Sequence, residues 1–236
     1  MSGHSKWKQI KYKKGAADAK RGAIFTKLAK VITLAAREGG DPAMNFKLTT
    51  AVEQARAMNM PKDNIERAIK RGTGEEESAQ LHEVVYEGYG PEGVALIITG
   101  VTDNVNRTVS EVRATLTKHG GTMAAEGAVK WNFDHKGVIH VETLNNRDEV
   151  ELTAIDAGAD DIREEEGGLM ITTEPKNLLN LKQALEKQGI KCAYAEVEYL
   201  PKTTVALDEH NQAKLERITD ALDDLDDVQD YYTNAE

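Results

Sequence analysis

At the stretch HEVVYEGYGPEGVALIITGV, residues 82–101, the spacing of apolar residues along the chain changes. Upstream of it, apolar residues recur at the spacing of one helix face. Within it, they form two runs rich in Val, Ile and Tyr, separated by Gly90-Pro91-Glu92-Gly93. Such runs around a Gly/Pro turn predict a strand, a tight turn and a second strand. The chain is therefore predicted to combine a helical part with a sheet.

Residues 1–74 are predicted to form an all-helical domain. A first helix is expected over about 15–38, and the sequence Gly39-Gly40-Asp41-Pro42 ends it. Asn45 is a suitable N-cap for a second helix, and Pro61 fits the first turn of a third.

The residues after the hairpin alternate between helical and strand patterns. A helix is expected over about 104–119, and GAVKWNF, residues 127–133, is expected to be a strand. From residue 138 to residue 200 the predicted order is βαββαβ, the ferredoxin-like pattern. A helix over about 208–223 and the strand VQDYYT, residues 228–233, follow and are too few to fold alone.

We therefore predict an α+β protein of three domains, an all-α N-terminal domain and two α+β domains. The first covers 1–74, the second is discontinuous and formed by 80–134 plus 203–236, and the third is a ferredoxin-like (βαββαβ) domain inserted at 135–202. The alternative for 203–236 is a loosely docked acidic tail.

Charge is unevenly distributed along the chain. Residues 1–74 carry 16 Lys and Arg against 6 Asp and Glu, a net charge of +10, whereas residues 75–236 carry 14 against 34, a net charge of −20. This asymmetry favours a basic region that binds a polyanion and acidic domains that stay away from it. The alternative is two ordinary domains that differ in isoelectric point.

The basic region begins with an arm in which lysines alternate with Trp7 and Tyr12. Lysines neutralise phosphates, and aromatic rings stack on exposed bases. The alternative is a solvated lysine face that Trp7 anchors to the helices. The candidate nucleic-acid contacts are Lys6, Trp7, Lys8, Lys11, Tyr12, Lys13, Lys14, Lys20, Arg21, Lys27 and Lys30.

Two cations stand out in the acidic part of the chain, Arg107 and Arg113. They are candidates for a secondary contact with phosphate or with a protein partner. The alternative is an ordinary helix start, in which Asn104, Asn106 and Thr108 supply the capping groups.

Patterns typical of enzymes are missing from the sequence. It has no phosphate-binding G-x-x-x-x-G-K-[ST] loop and no G-x-S-x-G nucleophile motif. Its six histidines lack metal-ligand spacing, and its acidic runs lack the calcium-loop template. We expect no catalytic site, no metal, no cofactor and no small-molecule substrate.

The single cysteine, Cys192, excludes an internal disulfide. No run of about 18 apolar residues predicts a membrane span, and no apolar segment of a secretory signal follows the N-terminal charges. We expect a cytoplasmic protein.

Long blocks of the chain resemble the YebC family. The resemblance rests on GHSKWKQIKYKKGAADAKRGAIFTKL (3–28), AAREGGDP (35–42), NMPKDNIERAIKRGTG (59–74), YEGYGPEGVA (86–95), TDNVNRTVSEVR (102–113) and DDVQDYY (226–232). It implies three domains and no catalytic site. Bacterial members are described as DNA-binding transcriptional regulators, while mitochondrial relatives resemble translational activators and some bacterial relatives act on stalled ribosomes.

This chain departs from the family pattern at two places. Members often carry His-Arg-Lys where Tyr12-Lys13-Lys14 stands here, and a second arginine where Thr49 stands. Lysine keeps the charge but lacks the bidentate fork of arginine, which favours nonspecific phosphate contact over guanine recognition.

We therefore predict a non-enzymatic, nucleic-acid-binding regulator of gene expression, and the resemblance narrows this to a DNA-binding transcriptional regulator. The close alternative is a ribosome-binding translation factor whose arm contacts ribosomal RNA. An alternative of another class is a protein–protein adaptor whose lysines dock on an acidic partner. The expected partners are DNA or ribosomal RNA, with the transcription machinery or the ribosome, and no membrane.

Overall fold

A computed structural model describes residues 18–77, 79–142, 147–165 and 168–236, with side chains from Gly22 onward. It divides into two compact units. One is Phe133–Lys202, and the other joins the described residues before Phe133 to Thr203–Glu236. No helix in the described residues is both long and apolar enough to span a membrane.

Helices and strands alternate after a purely helical beginning. The helices are α1 (Asp18–Ala36), α2 (Phe46–Ala57), α3 (Lys62–Thr73), α4 (Val105–Lys118), α5 (Arg147–Asp156), α6 (Leu178–Lys187) and α7 (Glu209–Asp223). The strands are β1 (His82–Tyr89), β2 (Ala95–Thr102), β3 (Thr122–Met123), β4 (Phe133–Val141), β5 (Asp161–Glu165), β6 (Gly168–Thr173), β7 (Cys192–Pro201) and β8 (Val228–Thr233).

The three N-terminal helices pack around a small aliphatic core that includes Ile32, Leu48 and Ile65. Asn45 caps α2 by accepting the Leu48 N–H at 3.1 Å. Its amide also donates to the carbonyl oxygen of Ala35 at 2.7 Å, so the same side chain joins the end of α1 to the start of α2. The predicted N-cap role of Asn45 is confirmed.

Helices α1 and α3 approach each other closely at Gly72. A Cβ atom at this position would lie 2.3 Å from the Thr33 carbonyl oxygen and 2.5 Å from the Ala36 side chain. One turn earlier, the Thr33 hydroxyl donates to the Ala68 carbonyl oxygen at 3.1 Å. The backbone of α3 therefore lies directly against α1, and only glycine fits at the crossing.

The hairpin predicted from residues 82–101 is present, with β1 antiparallel to β2 from His82–Thr102 to Tyr89–Ala95. The sheet order is β3-β1-β2-β8, so the late strand β8 pairs with β2. Helices α4 and α7 cover one face of this sheet. Their core consists of Leu96, Ile98, Val112, Leu116, Leu215, Ile218 and Leu222, among others.

The prediction of a strand over 127–133 is wrong. Residues Lys130–Asn132 form a 3-10 turn, only Phe133 belongs to a strand, and the strand next to β1 is β3. The cause is the buried carboxylate of Glu87, which accepts the N–H groups of Gly127 at 2.6 Å, Val129 at 2.7 Å and Lys130 at 2.9 Å. Burial alone would raise the pKa of Glu87, but these N–H donors outweigh it and lower that pKa below its ordinary value.

The unit Phe133–Lys202 has the sheet order β5-β6-β4-β7, with each neighbouring pair antiparallel. This is the order expected for the βαββαβ sequence of elements. Helices α5 and α6 contact each other, and α6 packs on β4 and β7. The α+β fold class with a helical N-terminal domain and two α+β domains is confirmed, although β4 begins at Phe133, five residues before the predicted start.

We expect Gly72→Ala to destabilise the helical domain by about 1–3 kcal/mol, because the added methyl group has no room beside Thr33. The matched control is Gly22→Ala, also inside a helix but with open space around it. There the same change stabilises by about 0.5–1 kcal/mol through helix propensity. Urea unfolding measures both, and equal effects would refute the close-packed crossing.

Candidate nucleic-acid interface

The predicted contact residues fall into three groups in the structure. Lys27 and Lys30 lie on α1, and their side chains are described. Lys20 and Arg21 also lie on α1, but only their helical backbone is described. The rest lie outside the described residues, namely Lys6, Trp7, Lys8, Lys11, Tyr12, Lys13 and Lys14.

Lys27 and Lys30 face the segment between α7 and β8. The Lys27 ammonium donates to the Asp223 carbonyl oxygen at 2.7 Å, and its residue is only 8% exposed. The Lys30 ammonium donates to the Asp226 carbonyl oxygen at 3.1 Å and to Asp227 Oδ1 at 2.5 Å. Both ammonium groups therefore bind acceptors within the protein, and we leave both lysines out of the interface proposed below.

The acceptor of Lys30, the Asp227 carboxylate, is 2% exposed and is surrounded by donors. Its Oδ2 accepts from the Arg107 guanidinium at 2.7 Å, the Thr108 hydroxyl at 2.6 Å and the Thr102 hydroxyl at 2.9 Å. Burial alone would raise the pKa of Asp227, but the hydrogen bonds from Arg107, Lys30 and the two hydroxyls hold it well below its ordinary value. Asp227 is therefore a buried, fully ionised anchor.

Arg107 belongs to this cluster. Besides Asp227, its guanidinium donates to Asp103 Oδ1 at 2.8 Å, and the two carboxylates raise its pKa above the ordinary value. Its backbone N–H is accepted by the side chain of Asn104, the N-cap of α4. Arg113 is exposed six residues further along α4, about 120° away around the helix axis. The structure therefore gives Arg107 a structural role and does not bring the two arginines together.

Sequence reasoning missed a set of outward-facing cations on the helical domain. Arg56 is exposed in the last turn of α2, and Arg67 and Lys70 are exposed one turn apart on α3. Arg67 and Lys70 lie on the side of α3 opposite the buried Ile65 and Ala68. The signal was present in NMPKDNIERAIKRGTG, because the apolar spacing that buries Ile65 and Ala68 turns Arg67 and Lys70 outward.

The chemistry available at this surface is phosphate contact. Exposed arginine and lysine side chains bind a sugar–phosphate backbone without reading base sequence. No group of His, Cys, Asp and Glu in the described residues is placed to hold a metal ion. Burial raises the pKa of the Cys192 thiol to about 11, so it is protonated at neutral pH and is a poor nucleophile.

We expect Asp227→Asn to lower the free energy of unfolding by about 1–3 kcal/mol at pH 7, because Lys30 and Arg107 lose their buried charged acceptor while the side chain keeps its size. The matched control is Asp226→Asn. The Asp226 side chain is exposed, and Lys30 binds the backbone carbonyl oxygen of this residue.

The same pair of variants tests the low pKa of Asp227. A carboxyl group whose folded pKa is depressed stabilises the protein above its unfolded pKa of about 4, and this contribution is lost as the pH falls below that value. The stability difference between wild type and Asp227→Asn should therefore shrink below about pH 4. A difference independent of pH in urea unfolding from pH 7 to pH 3 would contradict the ionised anchor.

Known proteins resemble this chain along its whole length. The family model for the TACO1/YebC protein N-terminal domain matches residues 5–75, and the model for the TACO1/YebC second and third domain matches residues 81–235. A probable transcriptional regulatory protein of Desulfosudis oleivorans is 52% identical over all of this chain and 96% of its own length. One of Geobacter sulfurreducens is 51% identical over 99% of this chain and 95% of its own.

A solved structure agrees with these sequence matches. The crystal structure of a conserved hypothetical protein from Aquifex aeolicus superposes with a TM-score of 0.84 at 44% identity, covering 96% of this chain and 95% of that one. The matches include both the helical domain and the two α+β domains. The chain belongs to the TACO1/YebC family.

Proposed function

We propose that this protein is a non-enzymatic regulator of gene expression whose helical domain binds the phosphate backbone of a nucleic acid, with DNA as the main target. One observation carries the proposal. The helical domain has a net charge of +10, while the remaining chain has a net charge of −20. A polyanion is attracted to the first and repelled by the second.

The exposed cations of the described helices add further candidate contacts to those predicted from the sequence. Arg56, Arg67 and Lys70 point outward, whereas Lys27 and Lys30 bind acceptors on Asp223, Asp226 and Asp227. The interface proposed here therefore consists of the arm, with Lys20 and Arg21, together with these three outward-facing residues. Arg113 on α4 remains a candidate for a secondary contact with phosphate or with a protein partner.

The relatives' names favour transcription as the regulated process. The contacts proposed here are all to the backbone, and structured ribosomal RNA offers the same phosphates. A translation factor that binds ribosomal RNA is therefore the second candidate.

The interface is tested by charge reversal in Arg56→Glu/Arg67→Glu/Lys70→Glu. The matched control is Lys176→Glu/Lys187→Glu/Lys191→Glu, which changes the net charge equally at exposed positions of the other unit. Binding to labelled duplex DNA and to structured RNA is followed by fluorescence anisotropy from 50 to 200 mM salt. Losing three phosphate contacts should weaken binding by at least tenfold at the low-salt end and reduce the salt slope on DNA by about 3.

The control variant should bind much more tightly than the interface variant. If the two variants lose affinity equally, binding follows net charge alone and the placement of the interface on α2 and α3 is wrong. If wild type binds neither nucleic acid in this salt range, the proposed function fails as a whole.

Crosslinking in cells, followed by sequencing of both DNA and RNA, decides between the two candidates. Enrichment of promoter DNA is the expected result. Enrichment of ribosomal RNA with no promoter signal would replace the transcriptional role by the translational one.

A further inference from the structure

Helix α5 carries an apolar ridge on its solvent side. Leu152 is 64% exposed and Ile155 is 61% exposed, one turn apart. The opposite side of the helix buries Val150 and Ala154. Of the leucines and isoleucines in the described part of the chain, only these two are classed as exposed.

Because Leu152 and Ile155 are three residues apart in a helix, their side chains form one continuous apolar surface. Residues three apart in a helix differ by about 60° in direction and are neighbours on its face. Scattered single apolar residues are normal on protein surfaces, whereas contiguous apolar surface rimmed by polar groups is typical of interaction sites. The ridge therefore differs from the other exposed apolar side chains, such as Val85 and Met44.

Carboxylates lie at both ends of the helix that carries the ridge. Asp148 and Asp156 are exposed at the two ends of α5. From residue 147 to residue 165, through α5 and the edge strand β5, the chain has eight acidic residues and two arginines.

Both arginines are already neutralised by neighbours. Arg147 contacts Glu151 and Glu164, each at 2.6 Å, and Arg163 contacts Asp161 at 2.6 Å. The rim that remains for a partner is negative.

We propose that the ridge Leu152–Ile155 and its acidic rim form a docking surface for a basic amphipathic helix of a partner protein. Apolar residues of that helix, three or four apart, pack across Leu152 and Ile155, and its lysines and arginines lie over Asp148 and Asp156. This is the helix-on-apolar-surface mode of recognition, with charge complementarity selecting the partner.

The sign of the rim decides against other occupants. Nucleic acids and anionic lipid surfaces are repelled by a segment with a net charge of −6, and so is an acidic peptide. The surface thus complements the proposed function, because the domain that avoids phosphate is the one that can engage a basic protein. It does not depend on that function, since a basic peptide binds here whether or not the helical domain binds nucleic acid.

The probe is a synthetic 14-residue helix of leucine and lysine with helical periodicity. Its control is a scrambled peptide of the same composition that lacks an apolar face. The protein is the full chain, and binding is measured by fluorescence anisotropy at 150 mM salt. We expect the periodic peptide to bind at least tenfold more tightly than the scrambled one.

The ridge variant is Leu152→Ser/Ile155→Ser, and the matched control is Val85→Ser/Val105→Ser, which removes two exposed apolar side chains from the other unit. The ridge variant should lose at least tenfold in affinity for the periodic peptide, while the control stays within twofold of wild type. Asp148→Asn/Asp156→Asn should weaken binding and reduce its salt dependence. Unchanged thermal melting of each variant shows that the fold is intact.

Three results would overturn the proposal. The first is equal binding of the peptide to wild type and to the ridge variant, which would mean a purely electrostatic contact. The second is equal binding of the periodic and scrambled peptides. The third is concentration-dependent self-association of wild type that the ridge variant abolishes, because the occupant would then be a second copy of this chain.

Discussion

One buried carboxylate connects the parts of the larger unit. Asp227 accepts hydrogen bonds from Lys30 on α1, from Thr102 at the end of β2, and from Arg107 and Thr108 at the start of α4. Such a charge is stable in the interior only while its donors stay in place. The position of α1, the start of α4 and the start of β8 therefore depend on one another, because each carries or adjoins a member of the same cluster.

The lysines and arginines of the helical domain fall into two groups with different surroundings. Lys27 and Lys30 stabilise the docking of α1, whereas Arg56, Arg67 and Lys70 face solvent. Net charge alone does not distinguish the two groups, because each of these side chains adds one positive charge to the +10 of the domain. In the interface proposed above, the positive charge comes from the second group and the arm, while the first group attaches α1 to Asp223, Asp226 and Asp227.

Local sequence patterns predicted most of the fold, but they could not predict contacts between residues that are far apart in the sequence. Helical and strand periodicities are local properties, so the α+β class, the cap at Asn45 and the hairpin of residues 82–101 could be read from the sequence. The turn over 127–132 could not, because its N–H groups are satisfied by Glu87, some 40 residues earlier. The role of Lys30 was hidden for the same reason, since its partner Asp227 lies 197 residues away. Arg67 and Lys70, by contrast, were visible in the apolar spacing of α3.

The late pairing of β8 has a consequence for the order in which the nascent chain matures. About 125 residues separate the end of β2 from the start of β8, and the complete unit Phe133–Lys202 lies between them. At translation speeds of about 5–20 residues per second, β2 waits several seconds or longer with one edge unpaired. During that interval Lys30 and Arg107 have no Asp227 to bind, so these contacts between α1, α4 and the start of β8 are still missing. The unit Phe133–Lys202 emerges completely before β8, and the emergence of β8 supplies both the edge strand beside β2 and the Asp227 acceptor of α1 and α4.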